Sequence, residues 1–440
     1  MDALAGLLPF CLLLAGMALL PALPATAGWW AKDLNKLRVA ALAAAAGVLA
    51  YLLAGGDGMG VGRAGLEYLA FIALLGSLFV ITGGIHLELG FRASPGLNTG
   101  LLAAGAVLAN LLGTTGAAML LIRPLLKANR GRRHGSHLVV FFIFVVANCG
   151  GLLTPLGDPP LYLGFLRGVP FGWTLGLAPA WALVNGALLL VFYLLDRHAF
   201  AKESPAARAA SARPGPADGG GLRVQGLANL LRLGLVLVSV LLATQAVAPA
   251  AEAWRVGAGA WASLLFQALA LGGLAAWSWR RTPTSIHAAN QFSLHPLVEV
   301  AALFFGLFGA MLPALDVLKA HAAAIPLDTP SRCFWVGGGL SAWLDNAPAY
   351  LTIASLGAAK HGLAGNDLGR LAAQSPATLA AVSMGTVFMG AMTYIGNGPN
   401  LMVQSIARRA HAPAPGFARY LLWSCGVLLP ILALCAWVFL

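Results

Sequence analysis

The sequence predicts an all-α polytopic membrane protein with about ten transmembrane spans plus two re-entrant hairpins, organised as two inverted-topology repeats with broken helices. Three observations predict it. Of the 440 residues, 59% are apolar and only 10% charged, against roughly 25% charged in a soluble domain. The apolar residues fall in blocks near the roughly 20 that a helix needs to cross a bilayer. A ten-residue pattern of Gly, Pro, Thr and Asp or Asn also occurs twice, each time inside such a block.

Spans are expected at about 4–24, 38–54, 66–85, 138–166, 173–195, 226–248, 256–279, 295–313, 376–407 and 417–439. The start, MDALAGLLPF, has neither the basic region nor the A-x-A site of a signal peptide, so the first block is expected to stay as a span. Two further apolar stretches, 96–122 and 332–357, are interrupted by GTTGA (113–117) and DNAPA (345–349), which would leave backbone groups unpaired in lipid. Each could cross fully or double back. Loop charge decides, because Lys and Arg concentrate on cytoplasmic links. With both stretches re-entrant and the N-terminus outside, 19 Lys and Arg lie on inner links and 7 on outer ones. A full crossing at 96–122 would throw the five charges from Arg123 to Arg133 outside.

The Ala-, Ser-, Pro- and Gly-rich stretch 201–221 reads as a flexible loop. The expected organisation is then an N-terminal span (1–37), a first repeat (38–195) with hairpin 96–122 and broken helix 138–166, and a flexible cytoplasmic linker (196–225). A connecting span (226–255) and a second repeat (256–440) with hairpin 332–357 and broken helix 376–407 follow.

The repeat locates a site. GLLTPLGDPP (151–160) matches GAMTYIGNGP (390–399) at an offset of 239, pairing Gly151 with Gly390, Thr154 with Thr393, Gly157 with Gly396, Asp158 with Asn397 and Pro160 with Pro399. Five changes of direction separate the two motifs, so the broken helices run antiparallel. Inverted repeats with broken helices are how secondary transporters bind substrate and coupling ion near the midplane. Proline breaks the helix and glycine lets the chain turn its carbonyls to a ligand. The hairpin motifs pair more loosely, Thr114 with Asn346 beside Gly113 and Asp345. The site would thus receive one carboxylate from each repeat, Asp158 and Asp345. Intramembrane carboxylates are costly and point to function.

The net charge of +12 is explained by membrane orientation rather than by nucleic acid, which is not expected as a partner. The five cysteines have no paired spacing for a disulfide framework or zinc site. No H-E-x-x-H, Walker A or G-x-S-x-G motif is present, so no enzyme and no cofactor are expected.

At NLLGTTGAAMLLIRP (110–124), NCGGLLTPLGDPP (148–160), DNAPAYLTI (345–353) and TYIGNGPNLM (393–402), the sequence resembles the ion transporter superfamily. Within it the chain is similar to the bacterial citrate-transporter and sodium:proton antiporter group, with NhaD-type antiporters as relatives. The resemblance covers nearly the whole chain. It implies an inner-membrane homodimer whose scaffold domain holds the interface, while two hairpins and two broken helices move as an elevator. The hairpin tips it assigns are Thr114, Thr115, Asp345, Asn346 and Pro348, and the helix breaks Thr154, Gly157, Asp158, Thr393, Gly396, Asn397 and Asn400. Dicarboxylate members carry Ser-Asn-Thr triplets at both tips; here GTT and DNA stand instead.

Substrate chemistry follows from residue type. Carboxylate, amide, hydroxyl and carbonyl oxygens suit a small hard cation, and the motif cores contain no Arg or Lys for an anion. Burial disfavours a charged carboxylate, so an acid can exchange a proton for a cation. The expected function is cation (sodium)/proton antiport, with Asp158 and Asp345 coupling Na+ to H+ at the same residues. The alternative is symport of citrate or another di- or tricarboxylate, with a metal or cation bridging it to the acids.

Structural roles compete for the same residues. Asp158 and Asp345 could cap half-helices, and Thr114, Thr115, Thr154 and Thr393 could satisfy backbone groups freed in the breaks. The charges between 123 and 137 are expected to fix topology and meet anionic lipid. His86, Glu88, His295 and Glu299 are expected at the membrane interface.

Overall fold

The structure is a computed structural model that describes residues 3–20, 23–89, 93–130, 132–203, 221–321, 324–364, 367–394 and 396–440. The chain is an all-α polytopic membrane protein. Among the described residues, nine helices are long and apolar enough to cross a bilayer. One of these, Pro95–Ala128, is not a crossing. Helix Ala3–Leu19 and the interrupted pair Pro376–Met389 and Gly398–Arg409 supply two more, which gives the ten expected.

Pro95–Ala128 doubles back on itself. Its dihedrals are helical except at Gly113 (φ 75°, ψ 154°), a conformation open to glycine because it has no Cβ. Asn98 and Asn129 lie 31 residues apart yet exchange hydrogen bonds of 3.0 and 2.8 Å, where a straight helix would hold them about 46 Å apart. The second hairpin pairs helix Pro330–Ser341 with helix Asn346–Lys360, and an ion pair between Asp328 and Lys360 joins its ends.

The remaining spans pack reciprocally, Asp33–Leu53 on His295–Ala320 and Gly58–Gly83 on Ala258–Arg281. The first pair meets along small residues. A Cβ at Gly47 would lie 2.4 Å from Ala310 Cα, and one at Gly306 2.7 Å from Ala40 Cα, so the backbones touch. In lipid, where apolar burial gives no drive between helices, such close packing holds them together.

The expected span 138–166 is helix Ser136–Val145, a 3-10 turn Cys149–Leu153 and half-helix Pro159–Leu166. Both ends of the expected linker 196–225 lie in regular structure, flanking its Ala-, Ser-, Pro- and Gly-rich stretch 201–221. Helix Ala178–Ala201 runs into it, and Leu222–Gln225 pairs antiparallel with His86–Leu89, Glu88 opposite Arg223. The remainder of that linker lies outside the described residues.

The basic cluster after the first hairpin also differs from expectation. Arg132 and His137 are buried, and both bind the buried Asp196 Oδ1, at 2.5 and 2.9 Å, while Asn98 donates to Asp196 Oδ2 at 2.8 Å. These two residues tie the hairpin base to helix Ala178–Ala201 instead of meeting lipid, because the charge that pairs them, Asp196, is remote in sequence.

Candidate functional site

The two breaks share one geometry. Asp158 and Asn397 each precede a half-helix, with φ/ψ of −142°/143° and −152°/141°. Thr154 donates to Asn110 O in the first hairpin, and Thr393 donates to Ala342 O in the second at 2.6 Å. These bonds are equivalent under the repeat. So is the crowding: a Cβ at Gly151 would meet Thr114 Cγ2 at 2.7 Å, and one at Gly390 would meet Asn346 Oδ1 at 2.0 Å. Gly157 and Gly396 each face the carbonyl of the preceding motif glycine, leaving no room for a side chain.

Where the repeats differ, the site appears. Asp158 is buried at 1% exposure and holds the N-cap position of Pro159–Leu166, but its side chain makes no capping bond. Its Oδ1 accepts from Thr114 Oγ1 at 3.0 Å and its Oδ2 from Asn346 Nδ2 at 2.7 Å. One carboxylate therefore receives a donor from each hairpin tip. Thr114 is fixed further because its N–H donates to Gly157 O at 2.8 Å, and Asn346 because its Oδ1 accepts from Ser341 Oγ at 2.7 Å. Asn397 also lies against the Asp158 carboxylate.

Asp345 behaves otherwise. It is half-buried and accepts from Ala347 N at 3.2 Å, capping helix Asn346–Lys360. It remains within electrostatic reach of Asp158. Pro348 sits in the first turn of that helix, where a missing N–H costs nothing. Thr115 is half-buried at the first tip and its side chain bonds to no described residue. Thr154 and Thr393 use their hydroxyl hydrogens on hairpin carbonyls, the backbone role weighed for them; Thr393 Oγ1 also accepts from Gly396 N at 3.0 Å.

Three residues outside the expected set belong to the same network. Asn110 accepts from Leu153 N at 2.8 Å through Oδ1, and the Ser341 hydroxyl lies 2.7 Å from both Asn346 Oδ1 and Thr386 O, with one proton to share between them. Buried Asn148 joins the two breaks, donating to Asn400 Oδ1 at 2.7 Å and accepting from Asn397 Nδ2 at 3.1 Å. Asn110 and Asn148 open two of the motifs quoted above, and their signal is an amide inside an apolar run.

Paired helix breaks whose polar groups meet two hairpin tips inside a bundle of membrane spans are the construction of a secondary transporter. The chain belongs to the family described as "Putative citrate transport", whose model matches residues 2–440. Comparison with the curated proteins gives no match.

Proposed function

We propose that this secondary transporter is a cation/proton antiporter, with sodium as the cation. The observation that supports it best is the Asp158 carboxylate, which takes a hydroxyl donor from one hairpin tip and an amide donor from the other. A hard cation binds such oxygens. With the cation absent, a proton on Asp158 removes the cost of a buried charge. With the cation bound, the proton has left and Thr114 and Asn346 turn toward the new ligand. Only the neutralised site crosses, which couples the two fluxes.

The moving unit in this reading is the two hairpins and two broken helices of repeats 38–195 and 256–440, carried as an elevator against the other spans in a homodimer. The N-terminus faces outward and the membrane is a bacterial-type inner membrane. A second reading, symport of citrate or a metal-bound carboxylate, is favoured by the family description. In it the same acids would hold the co-transported cation that bridges them to the anion.

The test is reconstitution in liposomes with a pH-sensitive dye inside, adding Na+, Li+, K+ or citrate in turn. Antiport predicts cation-driven proton movement without citrate. Proton movement only with citrate would replace it by the second reading.

A further inference from the structure

Resting on the reading in which the hairpins and broken helices move against other spans, we propose that half-helix Pro159–Leu166 is latched to the stationary side by two polar contacts. These are Tyr162 to Gln267 and Arg167 to Glu67, and both must break for the site to cross. The half-helix is one body: Tyr162 N–H donates to Asp158 O at 3.4 Å, and Arg167 N–H to Leu163 O at 3.2 Å. Asp158 caps its start, Tyr162 lies one turn on, and Arg167 caps its end. A movement that carries Asp158 across therefore carries both latch residues with it.

Each contact reaches a different span. Tyr162 Oη donates to Gln267 Oε1 of helix Ala258–Arg281 at 2.7 Å, and Arg167 Nη2 lies 3.6 Å from Glu67 Oε2 of helix Gly58–Gly83. These two spans pack on each other. All four residues are buried, at 1% exposure for Tyr162 and Gln267, 5% for Glu67 and 6% for Arg167, so neither contact is shared with bulk water.

Both acceptors are oriented from within their own span. Gln267 Nε2 donates to Ser263 Oγ at 3.3 Å, which leaves Oε1 for Tyr162. Glu67 Oε1 accepts from Arg63 Nε at 3.2 Å, which leaves Oε2 for Arg167. On the moving side, Arg167 O accepts from Gly369 N at 3.1 Å, in the link between the second hairpin and the second broken helix. Arg167 is thus fixed to the moving unit by its main chain and reaches the stationary spans through its guanidinium. That guanidinium is under-used, since Nε and Nη1 bond to no described residue. A permanent buried contact satisfies its donors, whereas one released in every cycle must not hold too tightly.

A latch made in one state biases the protein toward that state, and the apparent affinity measured from each membrane face follows the fraction of molecules open to it. The ratio of half-saturating Na+ on the two faces therefore reports the bias. It is measured by dye-reported exchange in proteoliposomes enriched for one insertion direction, for the wild type, Tyr162→Phe, Tyr162→Phe/Gln267→Leu and Glu67→Leu/Arg167→Met. The double variants remove both partners, so no buried donor or charge is stranded. Tyr162→Phe keeps the ring that stacks on Phe71. A hydrogen bond of ordinary net strength, present in one state only, is expected to move the ratio by about 2–10-fold. All three variants are expected to move it in the same direction, because both contacts hold the same state.

A merely structural role lowers stability or rate on both faces alike and leaves the ratio where it was, and that result would overturn the latch. So would two pairs that shift the ratio in opposite directions. Where the ion-pair variant fails to fold, Tyr162→Phe and Tyr162→Phe/Gln267→Leu decide by the same criterion. A wild type that moves protons with citrate alone sinks the cation reading by itself; the two-sided ratio is then taken with citrate, and a shift supports the latch while a fixed ratio overturns it.

Discussion

Asp158 stands at the N-cap of half-helix Pro159–Leu166 yet turns its carboxylate away from it, taking a 2.7 Å hydrogen bond from Asn346 Nδ2 in the opposite repeat. The site's other acid, Asp345, does cap its helix. One carboxylate comes from each repeat, but from inequivalent positions, a helix break and a hairpin tip, and they differ in use. A capping aspartate gains stability from the N–H it satisfies. A buried one that declines its cap is held for something else, and here both hairpin tips depend on it.

This separates the two acids experimentally. Asp158→Asn is expected to abolish cation-driven proton movement, because the amide cannot exchange a proton and its NH2 would face the donor of either Thr114 or Asn346. Asp345→Ser keeps a capping oxygen, and Asp345→Ala loses it at a cost of about 1 kcal/mol. Exchange by Asp345→Ser with weaker Na+ dependence, beside a less stable Asp345→Ala, would assign Asp345 a mainly structural share. Full loss in the Ser variant would assign it a coupling role equal to that of Asp158.

The glycines of the breaks give a second prediction. A Cβ at Gly390 would lie 2.0 Å from Asn346 Oδ1, so Gly390→Ala must displace the side chain that binds Asp158. Overpacking of this kind costs about 1–3 kcal/mol, and here it also misplaces a site residue. Gly398, one residue into the second half-helix, has nothing within 4 Å of its Cβ position. Gly398→Ala is therefore expected to stay within about 0.5 kcal/mol of wild type and to transport normally. Melting temperature and exchange rate, measured together on both variants, check the contrast.

How much of this could be read from the chain depended on where its signals sit. Gly113, Asp158, Asn346 and Asn397 are polar or flexible residues interrupting apolar runs, where lipid leaves no innocent explanation, and the hairpins and breaks are found there. The bridging amides Asn110 and Asn148 carry the same signal in weaker form, one amide without a glycine or proline break of its own. The Arg132–His137–Asp196 cluster was illegible because its partners lie about 60 residues apart and only the fold brings them together. The pairing of His86–Leu89 with Leu222–Gln225 was missed for a similar reason, since four-residue strands give too short an alternation to stand out.

That cluster carries a stability prediction. Asp196 is the carboxylate that both Arg132 and His137 bind, and Arg132 has 1% side-chain exposure. Removing one partner of a buried ion pair leaves an uncompensated charge and costs about 3–5 kcal/mol. Asp196→Ala is expected to lower the melting temperature of the purified protein sharply. Asp196 does not reach the helix breaks, so half-saturating Na+ of the surviving fraction should match wild type. A shift in Na+ affinity without loss of stability would contradict the structural role.

The base of the second hairpin should, by contrast, be indifferent to pH in the working range. The Lys360 ammonium beside Asp328 holds that carboxyl below its ordinary value of 3.8, with Arg332 adding to the effect. A depressed carboxyl contributes its stability in full above its unfolded value and loses it only as the pH falls through the lower, folded one. The latch is therefore closed throughout about pH 5–8. Asp328→Asn is expected to leave the shape of the transport–pH curve unchanged over that interval, whatever it does to the rate. A curve that moves would place part of the proton dependence at the hairpin base instead of at Asp158. Recording the profile for Asp328→Asn and for Asp345→Ser side by side distinguishes the two ends of the same hairpin.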